Sequence, residues 1–267
     1  MTVEYTTIET ERTPDHVLTV TLNRPERLNA FNEAMAEEFG RLWLEIREDP
    51  SVHAVVLRSN GGRAFSTGVD VTERLAGESP FLDRVRPWDE IEDPGRWLSP
   101  KRNEVWKPVV AAVEGMCAGG AAYWISECDI VICEPGATFF DPHVTFGLVA
   151  ALEPIALSYR MRLGDVLRMT LLGSHERMTA QTALQSGLVS EVVPATDLRQ
   201  RAHELAALIA SQPPVAVQGS VKAIWQSLNS NREQALSTAL MYTQIGNPIA
   251  TEHLDRRAAK PASYHLR

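Results

Sequence analysis

The sequence predicts an α/β fold from three apolar segments and the glycine-bearing turns that separate them. The segments HAVVLRS (53–59), PVVAAV (108–113) and DIVICE (129–134) are continuously apolar over most of their length, as strands of a parallel sheet covered on both faces are. GGRAFSTGVDVTERL follows the first segment and EGMCAGGAAYWISE follows the second, and each passes from glycine into a helical pattern. Repeated strand, turn and helix units imply right-handed crossovers around an α/β core.

The elements before and between these strands are predicted from local patterns. VEYTTIETER and HVLTVTLNR alternate in the manner of strands on either side of TPD, which predicts an opening hairpin. Asn32 is predicted to cap the helix that follows, in which apolar residues recur at helical spacing. Residues 77–104 are rich in proline, charge and tryptophan, and this composition predicts a mobile flap.

Beyond about residue 195 the strand pattern stops, and three successive amphipathic helices are predicted. They begin at DLRQRAHEL, PVAVQGSVK and REQALSTAL. We therefore divide the chain into an α/β core, residues 1–194, and a C-terminal helical region, residues 195–267. Because this region is too thin for an independent core, we expect it to pack against neighbouring subunits.

Composition and charge exclude several classes of function. The chain has 267 residues, of which 44% are hydrophobic and 22% charged, as in an ordinary globular protein. The net charge of −8 argues against a nucleic-acid partner, which requires a basic surface. The N-terminus lacks the pattern of a secretory signal, and Glu114 and several glycines interrupt the apolar run 107–129, so we expect a cytoplasmic protein without a membrane segment. The three cysteines match no metal-ligand spacing, so we expect no metal and small buried thiols.

The two glycine-bearing turns are the first candidates for a functional site. In AFSTGVD the chain leaves a strand at Ser66 and turns at Gly68, and in CAGGAAYW the glycine pair itself starts a helix. Helix starts present free N–H groups that attract negatively charged oxygen. Two such groups aimed at one carbonyl oxygen would form an oxyanion hole, although each turn taken singly is typical of an ordinary structural turn.

Four segments, in the right order and register, resemble the enoyl-CoA hydratase/isomerase, or crotonase, superfamily. They are RPERLNAFN (24–32), GGRAFSTGVD (61–70), KPVVAAVEGMCAGGAAYWISECDIVICEPGATF (107–139) and RMTAQTALQSGLVSEVVP (177–194). The resemblance implies a crotonase-like spiral of repeated ββα units with a C-terminal helical trimerisation region, assembled as a homotrimer or a dimer of trimers. It also implies a lyase or isomerase of fatty acid metabolism that requires no cofactor beyond the coenzyme A (CoA) carried by its own substrate.

The resemblance assigns candidate CoA-binding residues near the N-terminus. Leu28 and Ala30 would lie against the adenine and pantetheine of CoA. Arg24 and Arg27 stand where the family often places cations near the CoA phosphates, and such a local charge would let an acidic chain bind a polyanion. A solvated pair of surface arginines is the alternative.

The resemblance places the two oxyanion N–H groups at Ser66 and Gly120, but it fails at the acid–base groups. Family hydratases carry one glutamate a few residues beyond the glycine turn and a second after the next strand. Those positions hold Tyr123 and His143 in this chain. Because adding water to an enoyl thioester needs paired carboxylates, the loss of both glutamates argues against ordinary hydratase chemistry.

The replacement residues leave alternatives open. His143 matches a catalytic position and suits proton transfer near neutral pH, but a lone histidine among apolar residues is also typical of packing. Tyr123 could hydrogen-bond the substrate or His143, or only fill the pocket with its ring. Glu153 lies where some family members place an acid, and it could assist His143 or serve as a surface or helix-cap residue. Asp141 and Asp70 are interpreted as a turn residue and a helix cap.

These residues predict an enzyme that acts on an acyl-CoA thioester through an oxyanion-stabilised enolate, with His143 as general acid or base. Hydration, a double-bond shift and hydrolytic carbon–carbon cleavage all fit this frame. One alternative is retro-Claisen hydrolysis of a β-diketone, because superfamily members with that activity resemble this sequence in carrying a histidine near the site. Another is a non-catalytic acyl-CoA-binding protein that kept the pocket after losing both glutamates.

Overall fold

The structure, a computed structural model that describes residues 5–72 and 93–252, is built around two β-sheets. Its strands are β1 (Ile8–Arg12), β2 (Val17–Leu22), β3 (Ala54–Ser59), β4 (Ala64–Ser66), β5 (Val109–Val113), β6 (Met116–Ala118), β7 (Ile130–Cys133), β8 (Thr138–Phe140), β9 (Met178–Thr179) and β10 (Glu191–Val192). The larger sheet has the order β1-β2-β3-β5-β7-β10, and the smaller has the order β4-β6-β8-β9.

The three predicted apolar strands form the centre of the larger sheet. β3, β5 and β7 pair in parallel, with Val55 opposite Val109 and Val110 opposite Ile130. The predicted hairpin is also confirmed, since β1 and β2 pair antiparallel. A short strand of the smaller sheet follows each central strand, so β3–β4, β5–β6 and β7–β8 are successive pairs that contribute one strand to each sheet. This arrangement confirms the predicted α/β fold of repeated strand pairs.

Helices cover both sheets. They are α1 (Glu33–Glu48), α2 (Gly95–Leu98), α3 (Ala122–Ile125), α4 (Leu152–Ser158), α5 (Leu163–Leu172), α6 (Ala180–Ser186), α7 (Leu198–Ala210), α8 (Pro214–Ser227) and α9 (Arg232–Thr251). The predicted cap of α1 is confirmed, because the side chain of Asn32 accepts a hydrogen bond of 3.0 Å from the Met35 N–H. The main core packs α1 against the sheets through aromatic side chains such as Phe39, Trp43 and Trp124.

The first C-terminal helix belongs to the core of its own subunit. Leu198, Ala202, Ala206 and Ala210 repeat every fourth residue, form one small-residue face of α7, and are buried against β2, β3 and β5. α7 therefore packs on the larger sheet of its own subunit through this face, and the expectation that residues 195–267 also contact neighbouring subunits stays a prediction. α8 and α9, by contrast, contain no buried residue.

The predicted flap contains a well-packed segment. Residues 77–92 of the flap lie outside the described part of the chain, but residues 93–104 pack on the core. Leu98 is fully buried and its carbonyl accepts a hydrogen bond of 3.0 Å from the indole of Trp43. Lys101 is buried as well, with its ammonium 2.7 Å from the Asp129 carboxylate. Residues 93–104 are therefore part of the packed core and not of a mobile flap.

Glu127 anchors residues 93–104, and its burial predicts that the stability of the protein depends on pH. Its carboxylate accepts the backbone N–H groups of Lys101 and Arg102 at 2.8 and 3.2 Å. Burial raises the pKa of Glu127 from 4.5 to about 7 in the folded protein, although those hydrogen bonds lower it. The folded state therefore binds this proton more tightly than the unfolded chain, so stability is lost as the pH rises from 4.5 to about 7.

We expect Glu127→Gln to remove this loss of stability. In the wild-type protein, ionisation of the Glu127 carboxyl should lower the free energy of unfolding by up to ~3 kcal/mol as the pH rises from about 5 to about 8. Urea unfolding at both pH values measures the difference, and the exposed Glu104→Gln serves as a control that keeps the wild-type dependence. Equal pH dependence in wild-type and Glu127→Gln proteins would contradict the assignment.

Candidate active site

Three turns meet at one edge of the smaller sheet. β4, β6 and β8 are parallel neighbours, with Ser66 opposite Cys117 and Ala118 opposite Phe140. Their carboxyl ends therefore lie side by side, and each leads directly into a segment that sequence analysis singled out. These segments are the Ser66 turn, the glycine pair after β6 and the residues around His143.

The two glycine turns touch each other through their backbones. Gly68 has a φ of +84°, and a Cβ atom placed there would lie 2.7 Å from the Gly120 nitrogen. A Cβ atom on Gly120 would lie 2.7 Å from the ring of Phe31. The Ser66 hydroxyl accepts a hydrogen bond of 3.2 Å from the Gly68 N–H and so fixes the first turn. Both glycines are required by this close approach, which brings the turn that follows Ser66 into contact with the Gly120 backbone.

His143 is held by a carboxylate two residues before it. Nδ1 of His143 lies 2.5 Å from Oδ1 of Asp141, and the same oxygen accepts the His143 backbone N–H at 3.0 Å. A carboxylate accepts hydrogen bonds, so Nδ1 carries a proton and Nε2 is the atom that can exchange one with a substrate. The Asp141 side chain is 3% exposed. Asp141 is therefore a turn residue, as predicted, that also orients the imidazole.

Glu153 lies on the other side of the imidazole, and Tyr123 is a neighbour of Glu153. Oε1 of Glu153, in the first turn of α4, is 3.8 Å from Nε2 of His143. Tyr123, in α3, is 8% exposed. Burial raises the pKa of the Tyr123 phenol, and the neighbouring Glu153 and Asp93 carboxylates raise it further. The phenol therefore stays neutral across the physiological pH range and keeps the proton that it could donate in a hydrogen bond.

The Leu-Asn-Ala turn lies against the first glycine turn. Leu28 and Asn29 both have left-handed backbones, with φ of +54° and +51°. The buried Asn29 side chain holds this turn: its oxygen accepts the Arg24 N–H at 2.9 Å, and its amide donates to the Ala64 carbonyl at 3.0 Å. The next residue, Phe31, donates its N–H to the Gly68 carbonyl at 2.8 Å. The candidate CoA-binding residues Leu28 and Ala30 are thereby placed beside the Ser66 turn.

The two candidate arginines occupy different environments. The Arg24 side chain is 10% exposed, and its guanidinium donates to the Ala30 carbonyl at 2.6 Å and to the Asp70 carboxylate at 3.1 Å. Asp70 also accepts the Thr72 N–H at 3.1 Å, so it links Arg24 to the segment after the first glycine turn. Arg27 is exposed at the end of the 3-10 turn Pro25–Arg27. Arg24 therefore braces the turn, and Arg27 is the arginine of this pair that presents its charge to solvent.

The sequence did not indicate the parts played by Asn29 and Asp93. It also did not indicate that Asp141, interpreted as a turn residue, orients the imidazole. The left-handed turn around Asn29 follows no periodic pattern, and Asp93 comes from a segment that was predicted as a flap. A signal for Asp141 was available, because an aspartate two residues before a histidine can reach both its backbone and its ring. The structure nevertheless brings the turns of Ser66 and Gly120 into contact, places Gly119 beside His143, and sets the Glu153 carboxylate 3.8 Å from that imidazole.

Comparisons with protein families, with individual proteins and with solved structures all point to one family. The family model for Enoyl-CoA hydratase/isomerase matches residues 12–254. The chain is 36% identical to the mitochondrial Delta(3,5)-Delta(2,4)-dienoyl-CoA isomerase of Rattus norvegicus, over 81% of this chain and 68% of that protein. It is 32% identical to the short-chain-enoyl-CoA hydratase of Clostridium acetobutylicum, over 83% of this chain and 82% of that protein. An enoyl-CoA hydratase/isomerase crystal structure from Mycobacterium paratuberculosis superposes with a TM-score of 0.81 at 37% identity, covering 96% and 93% of the two chains.

Two sheets built from successive strand pairs, with two glycine turns in contact at one edge of the smaller sheet, define an α/β enzyme of the crotonase type. The chain belongs to the enoyl-CoA hydratase/isomerase family. Across residues 5–72 and 93–252, the helices are all too short or too polar to cross a membrane.

Proposed function

We propose that the protein binds an acyl-CoA thioester and shifts a double bond in its acyl chain through an enolate. The observation that carries this proposal is the convergence of the Ser66 and Gly120 turns with His143, Glu153 and Tyr123. Paired backbone N–H groups at the two turns would stabilise the negative charge that develops on the thioester oxygen. The named activities of the rat and Clostridium relatives support an acyl-CoA substrate.

The proton transfers follow from the orientation of His143. Asp141 holds Nδ1 as a donor, so Nε2 removes a proton from the carbon next to the thioester carbonyl and the electron pair passes to the carbonyl oxygen. The resulting dienolate is protonated at the γ carbon, which moves the double bond into conjugation. Glu153 lies 3.8 Å from Nε2 and is placed to share the proton during this transfer.

Tyr123 favours isomerisation over hydration. Because burial and neighbouring carboxylates keep its phenol neutral, Tyr123 can donate a hydrogen bond but cannot act as the base that activates water. The site therefore has one base centre, at His143 and Glu153, where family hydratases have two glutamates. Removing and returning one proton requires only one such centre.

A substrate panel in deuterated water tests this proposal. We expect a β,γ-enoyl-CoA or a 3,5-dienoyl-CoA to give a product of rearranged double bonds that has gained no water, with solvent deuterium only where the proton on Nε2 exchanges before it is returned. The gain of water by an α,β-enoyl-CoA would indicate a hydratase, and cleavage of a β-diketone would indicate retro-Claisen hydrolysis. Equilibrium binding of these thioesters without any product would indicate a non-catalytic binder. Each of these three outcomes would overturn the proposal.

Arg27 is the arginine that we expect to contact the CoA phosphates. Arg27→Gln should weaken CoA binding by about three- to fivefold, roughly 1 kcal/mol for an exposed ion pair, and should reduce the dependence of binding on salt. Isothermal titration with CoA at two salt concentrations measures both effects. Arg47→Gln, on the exposed side of α1, is the matched control and should leave binding unchanged. Unchanged binding in Arg27→Gln would place the phosphates elsewhere.

The exposed apolar residues of α5 support a trimer or a dimer of trimers. Leu163, Leu167 and Leu171 repeat every fourth residue along one face, and they are 63%, 48% and 69% exposed. An uncovered stripe of this kind is typical of a protein interface. Light scattering should give three or six times the mass of one chain, and Leu171→Glu should lower it. Leu44→Glu, at an isolated exposed leucine of α1, should not. A wild-type monomer would contradict the assembly.

A further inference from the structure

Thr145 links the turn that carries His143 to the end of α5. This 3-10 turn spans His143–Phe146, and within it the Thr145 hydroxyl accepts the Ser174 N–H at 2.8 Å. Ser174 lies in the short turn that directly follows α5. Thr145 also donates its own N–H to the Pro142 carbonyl at 3.0 Å. This threonine therefore closes the turn around His143 and fastens it to a neighbouring helix.

Gly173, the residue after α5, lets the Thr145 contact form because it has no side chain. Its backbone has a φ of +58° and a ψ of −132°, a combination that glycine adopts far more readily than other residues. An added Cβ atom would overlap the Thr145 hydroxyl and would lie 3.0 Å from Cγ2 of Val144. Gly173 itself is buried. The end of α5 is therefore shaped to receive the turn that carries His143.

Polar contacts on both sides of His143 hold this turn in place. The Asp141 carboxylate binds the backbone and the ring of His143 from one side, and the Thr145 bond to α5 holds the turn from the other. The three residues that follow His143 in the turn are exposed, Phe146 by 71%. Because exposed side chains contribute little packing, the position of the turn depends on its polar contacts. A Cβ atom on Gly119 would lie 3.7 Å from Cε1 of His143, so a shift of the turn also moves the imidazole relative to the second glycine turn.

We propose that Thr145 is a positioning residue that acts through His143, holding the imidazole where Nε2 can exchange a proton with the substrate. The inference rests on the proposed function, because it concerns the base of that reaction. A general base must lie within about 2.6–3.2 Å of the atom whose proton it removes. A displacement of the turn by less than about 1 Å therefore slows proton transfer while leaving the binding of CoA intact.

The substitutions Thr145→Val and Thr145→Ser test this role. With a β,γ-enoyl-CoA as substrate, Thr145→Val should lower kcat and leave KM unchanged, because it removes the acceptor of the Ser174 N–H and nearly keeps the side-chain volume. We expect a loss of about tenfold, equivalent to ~1.4 kcal/mol and within the contribution of one hydrogen bond. Thr145→Ser retains the hydroxyl and should keep kcat close to the wild-type value.

Thr179→Val is the matched control, because it removes a bond of the same kind from a different turn. The Thr179 hydroxyl accepts the Thr182 N–H at 3.2 Å and caps α6, so this variant should lose stability and keep its turnover. Thermal melting verifies that each variant is folded. If Thr145→Val does not fold, Thr145→Ala takes its place, because it removes the same acceptor. Wild-type turnover in Thr145→Val, or equal losses in Thr145→Val and Thr145→Ser, would overturn the proposal.

Nitrogen NMR of the imidazole separates this proposal from the proposed reaction. A neutral ring that is held with its proton on Nδ1 gives two well-separated nitrogen signals, whereas a ring that exchanges between tautomers gives signals that move toward each other. In protein with isotope-labelled histidine, assigned with His143→Gln, Thr145→Val should bring the two His143 signals closer together. The measurement needs no turnover, so converging signals support the role of Thr145 even if no acyl-CoA is isomerised. Signals that stay as in the wild type would contradict it.

Discussion

His143→Ala should abolish most turnover while leaving CoA affinity within a few-fold of the wild type. Removing a general acid or base typically lowers a rate by about 10²- to 10⁴-fold. The Asp141 contact makes a large effect the expected one, since it fixes Nδ1 as a donor and leaves Nε2 to exchange the proton. Steady-state kinetics and CoA titration on the same preparations measure the two quantities separately.

Two further variants show whether the loss is chemical. His175→Ala, at an exposed histidine outside the site, should keep full activity. Tyr123→Phe should lower activity less than His143→Ala, because it removes one hydroxyl and leaves the base in place. A well-folded and fully active His143→Ala protein would make His143 a packing residue and would move the acid–base role to Glu153.

The parts of the fold that sequence predicted well are those specified by local pattern. The strands β3, β5 and β7 are continuous apolar runs, and burial on both faces is what such runs require. The cap at Asn32 is a short-range interaction between a side chain and an N–H three residues later. Neither feature depends on distant parts of the chain, so both could be read before the fold was known.

The parts that sequence missed depend on tertiary contacts. Residues 93–104 pack against Tyr123 only because they are anchored by Trp43 and Glu127, which lie far away in sequence. The amphipathic pattern of α7 predicts that one of its faces is buried, but not against what. Its face consists mainly of alanines, and only the packed structure shows that it fits the flat larger sheet.

The candidate oxyanion hole gives the second large prediction, through Gly68. Gly68→Ala would place a methyl group 2.7 Å from the Gly120 nitrogen and 3.1 Å from the Ala118 carbonyl. Relief of this overlap must push the two turns apart and misdirect the Gly120 N–H. The loss of one oxyanion donor lowers kcat by about 10²- to 10³-fold, so we expect a loss of that size with CoA still bound.

Gly62→Ala is the control that separates this effect from backbone strain. Gly62 has a φ of +91°, close to the +84° of Gly68, but an added Cβ atom would meet nothing within 4 Å. Both substitutions should therefore lower the free energy of unfolding by about 1–2 kcal/mol, because alanine is disfavoured in the left-handed region. Both should lower the melting temperature as well. Only Gly68→Ala should also lose turnover, because only its methyl group reaches the Gly120 nitrogen. Equal activity in the two folded variants would show that the Gly120 N–H does not contribute to catalysis.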